Sequence, residues 1–228
     1  MPAPQDATKC LGFESALALA FTGAIAMIWI VAILIVLVLF YSLKSRRKSR
    51  VNLTTLPEQF VVFDLETTGL NPDKHEIIEI GAIRVNRDST KHDTFQTLVK
   101  PSKNVPKKIT ELTGINQAML DSDGKSLEMA LQEFISFVGD LRLVSFNAKF
   151  DMAFLRNASD KYSIDVSNPV SCALRMARRA WPGRHSYRLV DLAKDGNLDD
   201  SGTHRALGDC QRTVIVYSTA ASKLGTVS

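Results

Sequence analysis

Cysteine is scarce in this sequence, and the few cysteines present exclude two classes of small protein. The 228 residues include three, Cys10, Cys172 and Cys210, which are odd in number and widely separated. They form neither a zinc-ligand pattern nor a disulfide framework. The chain also lacks internal repeats and, apart from one long apolar run, low-complexity segments. Isolated thiols of this kind fit a protein in a reducing compartment.

The chain also lacks an excess of positive charge outside its N-terminal segment. The formal net charge is +4, but residues 1–50 hold six lysines and arginines against two acidic residues. The remainder is therefore neutral, with equal numbers of basic and acidic side chains. A neutral domain gives no bulk electrostatic indication of nucleic-acid binding, so any such surface must be local.

Residues 15–43 contain no charged side chain, and this absence predicts a transmembrane helix. As an α-helix the segment would be about 43 Å long, which exceeds the ~30 Å hydrocarbon core of a bilayer. A buried core helix is the alternative, but soluble folds seldom contain an uninterrupted apolar segment of this length. A cleavable signal peptide would be shorter and preceded by positive charge, whereas the residues before this run are net negative.

Basic residues directly after the run predict its orientation. Segment 44–50 contains five lysines and arginines, so we expect residues 1–14 outside the cytoplasm and the following domain inside it. The same cations could hold anionic lipid headgroups at about 1 kcal/mol per charge, although a plain stop-transfer signal accounts for them without lipid. Residues 44–57 are then a basic juxtamembrane segment and linker.

Apolar periodicity in residues 58–222 predicts an α/β domain, which is followed by a short tail at 223–228. Residues 126–139 place their apolar side chains on one helical face, and the end of the domain is predicted to be mainly helical. Alternating and apolar runs predict four strands, at about residues 60–66, 77–86, 94–99 and 141–146. This order of elements indicates a mixed sheet flanked by helices.

Two carboxylates interrupt the first predicted strand, "FVVFDLETTGL" at 60–70. Side chains alternate across a strand, so Asp64 and Glu66 share one face with Phe60 and Val62. Two buried carboxylates side by side lose hydration and repel each other, and a divalent cation such as Mg²⁺ or Mn²⁺ removes that penalty. The alternative is an acidic strand end that faces water, and this stretch alone does not decide between them.

Two later stretches also place acidic side chains next to apolar elements. In "LVSFNAKFDMAFL", at 143–155, a strand leads into Asn147, and Asp151 opens a helix, where it could simply complement the helix dipole. In "GTHRALGDC", at 202–210, His204 is expected in a loop or first turn and Asp209 on the following helix. Five residues correspond to about 140° around a helix, so the two would not share a helical face.

Taken together, "FDLETTG", "FNAKFD" and "HRALGD" resemble the three motifs of DnaQ-like 3′–5′ exonucleases, the histidine subtype of the DEDD superfamily. That family includes the epsilon subunit of bacterial DNA polymerase III, and the resemblance covers about residues 58–222. It implies a ribonuclease H-like fold and a site for two divalent cations, Mg²⁺ or Mn²⁺. The implied metal ligands are Asp64, Glu66, Asp151 and Asp209. The implied general base is His204.

The resemblance also implies a reaction and a set of substrate contacts. Two cations can activate a water and stabilise the leaving 3′ oxygen of a phosphodiester, and four carboxylates balance their charge. A neutral histidine can take the proton of that water at pH 7 to 8. The product would be a nucleoside 5′-monophosphate from the 3′ end of DNA or RNA. The expected neighbours of the terminal nucleotide are Thr67, Thr68, Leu70 and Phe150.

One position departs from the family pattern. Members commonly have histidine before the Asn-Ala of the second motif, and this chain has Phe146. Phenylalanine neither ligates a cation nor forms a hydrogen bond through its side chain. A polar contact near the substrate is therefore in doubt, but none of the five implied metal and base residues is affected.

The stretch "RMARRAWPGRHSYR", at 175–188, contains five arginines, two aromatic residues and no acid. Arginine binds phosphate through two hydrogen bonds, and aromatic rings stack on unpaired bases. We therefore expect Arg178 and Arg179 to contribute to a nucleic-acid groove. The alternative is a solvated helix end and loop.

These observations favour a membrane-anchored, metal-dependent 3′–5′ exonuclease over two other functions. A non-catalytic nucleic-acid-binding module would not need all five catalytic groups. A proofreading subunit of a DNA polymerase fits poorly with a membrane span, since replication machinery moves along DNA. The sequence does not distinguish DNA from RNA or single from double strands, and it identifies no protein partner.

Overall fold

The computed structural model describes residues 53–194 and 204–225, which belong to one unit, Val51–Ser228. The predicted span at 15–43, segment 1–14 and residues 44–52 lie outside the described residues, so the membrane span stays a prediction. Among the helices within the described ranges, none is both long enough and apolar enough to cross a membrane.

A five-stranded mixed sheet forms the centre of the domain. Its strands are β1 (Gln59–Thr67), β2 (Ile77–Asn86), β3 (Asp93–Leu98), β4 (Leu143–Ser145) and β5 (Val170–Cys172). The strand order is β3-β2-β1-β4-β5. β1, β2 and β3 pair antiparallel, whereas β4 lies parallel to both β1 and β5. The carboxyl ends of β1, β4 and β5 therefore meet at one end of the sheet.

Seven α-helices connect and cover the described strands. They are α1 (Lys107–Thr113), α2 (Gln117–Asp123), α3 (Leu127–Val138), α4 (Ala148–Tyr162), α5 (Ala173–Ala180), α6 (Leu189–Lys194) and α7 (Ala206–Leu224). Both ends of α3 are fixed by neighbouring residues. Ser126 caps its start by accepting a hydrogen bond from the Met129 amide, and Gly139, which has a positive φ, caps its end.

Alternation along β1 divides the core between the two faces of the sheet. Phe60 and Val62 pack with α5 and α7, where the rings of Phe60 and Tyr217 lie 5.4 Å apart. Val61 and Phe63 pack with α3 and α4 on the opposite face, and all four β1 side chains are fully buried. Because both faces of β1 are covered, polar side chains gather only at its carboxyl end.

The four predicted strands, the helix at 126–139 and the mixed α/β sheet are confirmed, with boundaries shifted by at most two residues. The later part of the domain is mainly helical, as predicted, but it also contains one short strand that the sequence did not indicate. Val170–Cys172 forms β5, the edge strand beside β4. Three residues are too few to show an alternating pattern, so the strand left no periodic signal in the sequence.

Candidate active site

The carboxyl end of β1 presents two carboxylates to the face that α7 covers. Asp64 and Glu66 follow Phe60 and Val62 on the alternating face, and both are partly buried. Pairing with β2 becomes irregular between Glu66 and Thr67, where the strand ends and the chain turns. The turn opens this end of the sheet, as the sequence predicted.

The first turn of α7 brings a third carboxylate to the same place. Asp64, Glu66 and Asp209 each offer a carboxylate oxygen, and these oxygens lie within 4.8 Å of one another. Asp209 is buried, with 6% of its surface exposed. Residues from the first strand and the last described helix are therefore joined in one acidic cluster.

The fourth predicted ligand, Asp151, lies beside this cluster rather than within it. It is buried in the first turn of α4 and accepts a short hydrogen bond from the Ser145 hydroxyl at the end of β4. It also accepts a backbone hydrogen bond from Leu65. Its negative charge is close enough to raise the pKa of Asp64. The structure thus brings all four carboxylates to one end of the sheet.

His204 contacts the cluster through Asp209. Its Nδ1 lies 3.1 Å from Oδ2 of Asp209, and its side chain is 41% exposed. The His204 amide donates to the carbonyl of Leu112, at the end of α1. His204 precedes α7 and Asp209 lies on the helix, as the sequence predicted. Arg205 has extended backbone, so helical angles do not apply between them.

A buried arginine holds the other oxygen of Asp209. Nη1 of Arg212 lies 2.8 Å from Oδ1 of Asp209, and both side chains are 8% exposed. The carboxylate is therefore fixed from two sides, by Arg212 and by His204. Each carboxylate oxygen has two lone pairs, so these bonds leave acceptor capacity for a cation. Such supporting hydrogen bonds orient metal-binding side chains.

The acidic cluster carries more negative charge than the protein itself neutralises. Burial, followed by the negative charge of Asp209, raises the pKa of Glu66 to about 8. Burial and the charge of Asp151 raise the pKa of Asp64 well above its ordinary value. Burial also raises the pKa of Asp151 to about 7, although the Ser145 hydrogen bond opposes the shift. A bound cation would oppose all three shifts, because positive charge favours the ionised carboxylates.

The donor set fits a hard divalent cation. Mg²⁺ and Mn²⁺ prefer carboxylate oxygens, and a cluster of three offers such oxygens here with a fourth carboxylate adjacent. The cluster itself contains no thiol, because the two described cysteines direct their thiols to backbone carbonyls, Cys172 to Phe146 and Cys210 to Gly81. The residues present therefore match the two-cation site that the sequence predicts.

Sequence reasoning missed Glu79, which is fully buried on β2 directly opposite Glu66. Arg205 donates to both carboxylate oxygens of Glu79, over distances of 2.6 to 3.2 Å. The Ala206 amide and the Gln96 side chain also donate to it. A glutamate inside the apolar run "IIEIGAI" was the available signal, because a buried charge requires partners.

Thr67 and Thr68 use their hydroxyls within the turn after β1. The Thr67 hydroxyl donates to the carbonyl of Gly69 over 2.7 Å. The Thr68 hydroxyl accepts from the Glu76 amide over 3.0 Å. Both threonines are nearly buried. They shape this end of the sheet, and a contact between their hydroxyls and substrate stays a prediction.

Leu70 and Phe150 line a cavity of about 270 Å³. Leu70 is 83% exposed, the largest value among the exposed large apolar side chains of the described residues. Phe150 packs on Phe154, with ring centroids 5.1 Å apart. The complete lining is Leu70, Pro72, Asn147, Lys149, Phe150 and Ala153. The structure therefore brings the two predicted apolar contacts together, close in sequence to the acidic cluster.

Arg178 and Arg179 are exposed in the last turn of α5. This helix begins at the carboxyl end of β5 and runs away from it. The Arg178 guanidinium lies over the ring of Tyr187, 5.9 Å from its centroid. The structure does not join either arginine to the acidic cluster, so their predicted contact with nucleic acid stays a prediction.

Phe146, which departs from the family pattern, packs against the core. Its side chain is partly buried against the core cluster that contains Phe60 and Val62. Its carbonyl accepts hydrogen bonds from the Leu174 amide and the Cys172 thiol. The residue therefore fastens the end of β4 to the start of α5.

Comparison with known proteins agrees with this geometry. Residues 61–217 match the RNase_T family model, whose description is exonuclease. The DNA polymerase III subunit epsilon of Aquifex aeolicus is 37% identical over 171 residues, which are 75% of this chain and 83% of that protein. The PolC-type DNA polymerase III of Thermotoga maritima is 40% identical over 159 residues, but these are only 11% of its length.

Solved structures show the same fold. A zinc-bound complex of E. coli exonuclease I with single-stranded DNA aligns with a TM-score of 0.61 at 20% identity, over 72% of this chain and 40% of that one. Exonuclease X in complex with 5′-overhanging duplex DNA aligns with a TM-score of 0.57 at 25% identity, over 74% and 94% of the two chains. The mixed sheet described above is thus a ribonuclease H-like fold.

Proposed function

The chain belongs to the DnaQ-like family of DEDD exonucleases, and from this premise we propose that it is a membrane-anchored 3′–5′ exonuclease with a histidine general base. It removes terminal nucleotides from DNA or RNA as nucleoside 5′-monophosphates. The observation that carries the proposal is the meeting of Asp64, Glu66 and Asp209 within 4.8 Å, with Asp151 beside them.

Asp64, Glu66, Asp151 and Asp209 would hold two divalent cations, which would supply positive charge to activate the attacking water and stabilise the leaving oxygen. The protein contributes a fixed arrangement of those carboxylates. Ser145 and Leu65 hold Asp151, while Arg212 and His204 hold Asp209. This preorganisation keeps the ligands in place before substrate arrives.

His204 is suited to accept the proton of the attacking water. A carboxylate oxygen accepts hydrogen bonds, so Nδ1 of His204 is the donor in its 3.1 Å contact with Asp209. This leaves Nε2 as the nitrogen with a free lone pair. The side chain is 41% exposed, so it is accessible to water. The contact with Asp209 fixes the tautomer that a general base requires.

The cavity between Leu70 and Phe150 is suited to the terminal nucleotide. Its apolar side chains, Leu70 and Phe150, offer surfaces on which a base of any kind can stack. The hydroxyls of Thr67 and Thr68 hold the turn that positions Leu70, so these threonines act on the substrate through that loop. Arg178 and Arg179 add charge for a longer strand.

The membrane anchor rests on the sequence. The uncharged run at 15–43 is long enough to span a bilayer, and the five cations at 44–50 favour a cytoplasmic position for the following domain. The exonuclease domain would then act on nucleic acid at the inner face of the membrane. Contact between segment 44–50 and anionic headgroups would hold the domain close to that surface.

A proofreading role is the second candidate, because the epsilon relative is matched over 83% of its length. That role requires stable association with a DNA polymerase. Co-purification of a polymerase with the chain from cells, at a constant ratio and in detergent, would support it over a free exonuclease.

In the decisive experiment, the detergent-solubilised protein is incubated with DNA or RNA oligomers that are labelled at the 3′ or the 5′ end. Each incubation contains Mg²⁺, Mn²⁺ or chelator. We expect metal-dependent release of label from the 3′ end as a mononucleotide and a ladder from 5′-labelled strands. Asp64→Asn and His204→Gln should reduce the rate on the order of a hundredfold or more.

Asp93→Asn is the matched control, because Asp93 is an exposed aspartate at the start of β3 whose contact with Arg84 lies away from the acidic cluster. It should retain the rate of the unaltered chain. Equal activity in the chain and in Asp64→Asn would indicate a contaminating nuclease. Binding of oligomers without metal-dependent hydrolysis would leave a non-catalytic nucleic-acid-binding module.

A further inference from the structure

A second, larger cavity adjoins the one beside Leu70. Its volume is about 540 Å³, within the range of ligand sites in proteins. Its lining consists of Ala148, Lys149, Met152, Ala153, Arg156, Val170, Cys172 and Arg175. Lys149 and Ala153 line both cavities, so the two are neighbours across the same stripe of α4. We call the larger one the α4 groove.

The charge of the α4 groove has one sign. Lys149 and Arg156 of α4 and Arg175 of α5 line it, and no acidic residue does. All three cations are exposed, and within the described residues none of them forms an ion pair. Some other basic side chains of the domain are paired with carboxylates, as Lys125 is with Glu133 over 2.6 Å. The groove therefore offers three cations to an external anion.

The spacing of these cations suits a chain of phosphates. Lys149 and Arg156 are seven residues apart on α4, which corresponds to about 10 Å along the helix axis. Arg175 faces them from the first turn of α5, across the edge strand β5. A row of cations beside small side chains, such as Ala148 and Ala153, accommodates a backbone and makes no base-specific contact.

We infer that the α4 groove binds the sugar-phosphate backbone of the substrate strand next to its terminal nucleotide. The inference rests on the proposed exonuclease function and extends it, because it assigns a surface to nucleotides that are not themselves removed. Backbone contacts of this kind are independent of sequence and weaken as salt rises. An anionic membrane surface is less suited, since it is broad and these cations line a concavity that continues into the nucleotide cavity.

The test compares substrates of different length on the detergent-solubilised full chain. A dinucleotide reaches only the terminal cavity, whereas a twelve-nucleotide single strand also reaches the α4 groove. The variant is Arg156→Ala with Arg175→Ala, which leaves Lys149 of the terminal cavity in place. We expect its KM for the longer strand to rise on the order of tenfold, with kcat/KM for the dinucleotide unchanged. The slope of log KM against log salt should fall by about 1.4 for two lost phosphate contacts.

The control variant is Lys91→Ala with Lys223→Ala, which also removes two exposed cations. Lys91 lies in the β2–β3 turn, at the opposite end of the sheet, and Lys223 lies in the last turn of α7. This variant should match the unaltered chain on both substrates. If KM depends on substrate length and on salt equally in the Arg156/Arg175 variant and in the unaltered chain, the groove assignment is overturned. The exonuclease function would remain intact.

Two further outcomes distinguish strand binding in the groove from membrane binding and from the absence of exonuclease activity. Absence of metal-dependent hydrolysis of either substrate would refute the exonuclease function on which the groove depends. Reduced binding of the variant to vesicles of phosphatidylserine and phosphatidylcholine, with unchanged binding to the longer strand in EDTA, would show that the cations serve the membrane and would overturn the inference. We expect the reverse, namely loss of strand binding at unchanged vesicle binding.

Discussion

Arg205 and Glu79 form a buried ion pair directly beneath the acidic cluster. Nη2 of Arg205 lies 2.6 Å from Oε1 of Glu79, and the Glu79 side chain has no exposed surface. Because Arg205 follows His204 and Ala206 begins α7, the pair fixes the chain at the point between the histidine and Asp209. Glu79 is therefore a positioning residue for the proposed general base.

Breaking this pair should cost both stability and activity. We expect Arg205→Met to lower the free energy of unfolding by about 3 to 5 kcal/mol, because the fully buried Glu79 charge loses its ion-pair partner. Glu79→Gln should cost less, because the Arg205 side chain is 35% exposed. Denaturant unfolding measures this loss. The pH profile of kcat separates positioning from simple destabilisation, since a displaced His204 changes the profile even at temperatures where the variant is fully folded. Folded variants with an unchanged pH profile and kcat would contradict the positioning role.

The second prediction concerns the stability of the metal-free protein as pH rises. The pKa of Glu66 is raised from 4.5 to about 8 and that of Asp151 from 3.8 to about 7. Between the unfolded and folded values the folded protein holds protons that the unfolded chain releases. The contribution of these two groups to the free energy of unfolding is therefore greatest below about pH 4.5. It is lost as the pH rises through 7 to 8.

Thermal unfolding in EDTA between about pH 5.5 and 9 measures this decline. Mg²⁺ should abolish most of it and release protons on binding, because it stabilises the ionised carboxylates. Glu66→Gln, which cannot ionise, should show a shallower decline than the unaltered chain. If the melting temperature of the metal-free protein rises over the same pH range, the prediction is contradicted.

The third prediction concerns the close approach of α7 to β2. A Cβ added at Gly81 would lie 2.7 Å from the backbone of Ala206 and Leu207. Gly81→Ala should therefore displace the start of α7, which carries Asp209, and destabilise the domain by about 1 to 3 kcal/mol. Activity should fall further than stability, because catalytic geometry is sensitive to displacements of about 1 Å.

Gly208→Ala, a substitution in the first turn of α7 itself, is the matched control. A Cβ there would meet only Nη1 of Arg212, at an ordinary contact distance of 3.6 Å. Alanine favours the helix by up to about 1 kcal/mol, so this variant should be neutral or more stable. Circular dichroism melting curves and initial rates compare the two variants. Similar behaviour of both would show that the Gly81 contact does not restrict α7.

The fourth prediction concerns the exposed leucine of the nucleotide cavity. Leu70→Ala should raise KM for every oligomer on the order of tenfold, because a stacking surface for the terminal base is lost. The melting temperature should stay unchanged, since Leu70 is 83% exposed. Met129→Ala is the control, as Met129 is another exposed large apolar side chain, on α3. An equal effect of both substitutions on KM would remove the special role of Leu70.

Much of the sheet and the acidic residues could be predicted because their patterns are local. Alternation along β1 assigns Asp64 and Glu66 to one face, and helical periodicity defines α3 almost to the residue. The partners of Glu79 could not be predicted in this way. Arg205 lies 126 residues further along the chain, and only the packing of α7 against β2 brings the two together.

The contact between His204 and Asp209 could not be predicted from the sequence, although the placement of His204 before the helix was. Positions five apart diverge on a helix, but Arg205 has φ −135° and ψ 134°, so the chain is extended just before α7 begins. The histidine can therefore turn back to the carboxylate. The basic lining of the α4 groove was equally hidden, because Lys149, Arg156 and Arg175 come from two helices separated by an edge strand.

The position of Asp209 has a consequence for how the protein is made. α7 is the last described helix, and it supplies both a carboxylate of the cluster and the apolar cover over Phe60 and Val62. A chain still emerging from the ribosome lacks this helix until nearly all of the domain has been translated. The carboxylate cluster of the proposed active site is therefore incomplete until this helix has been synthesised and packed onto the sheet.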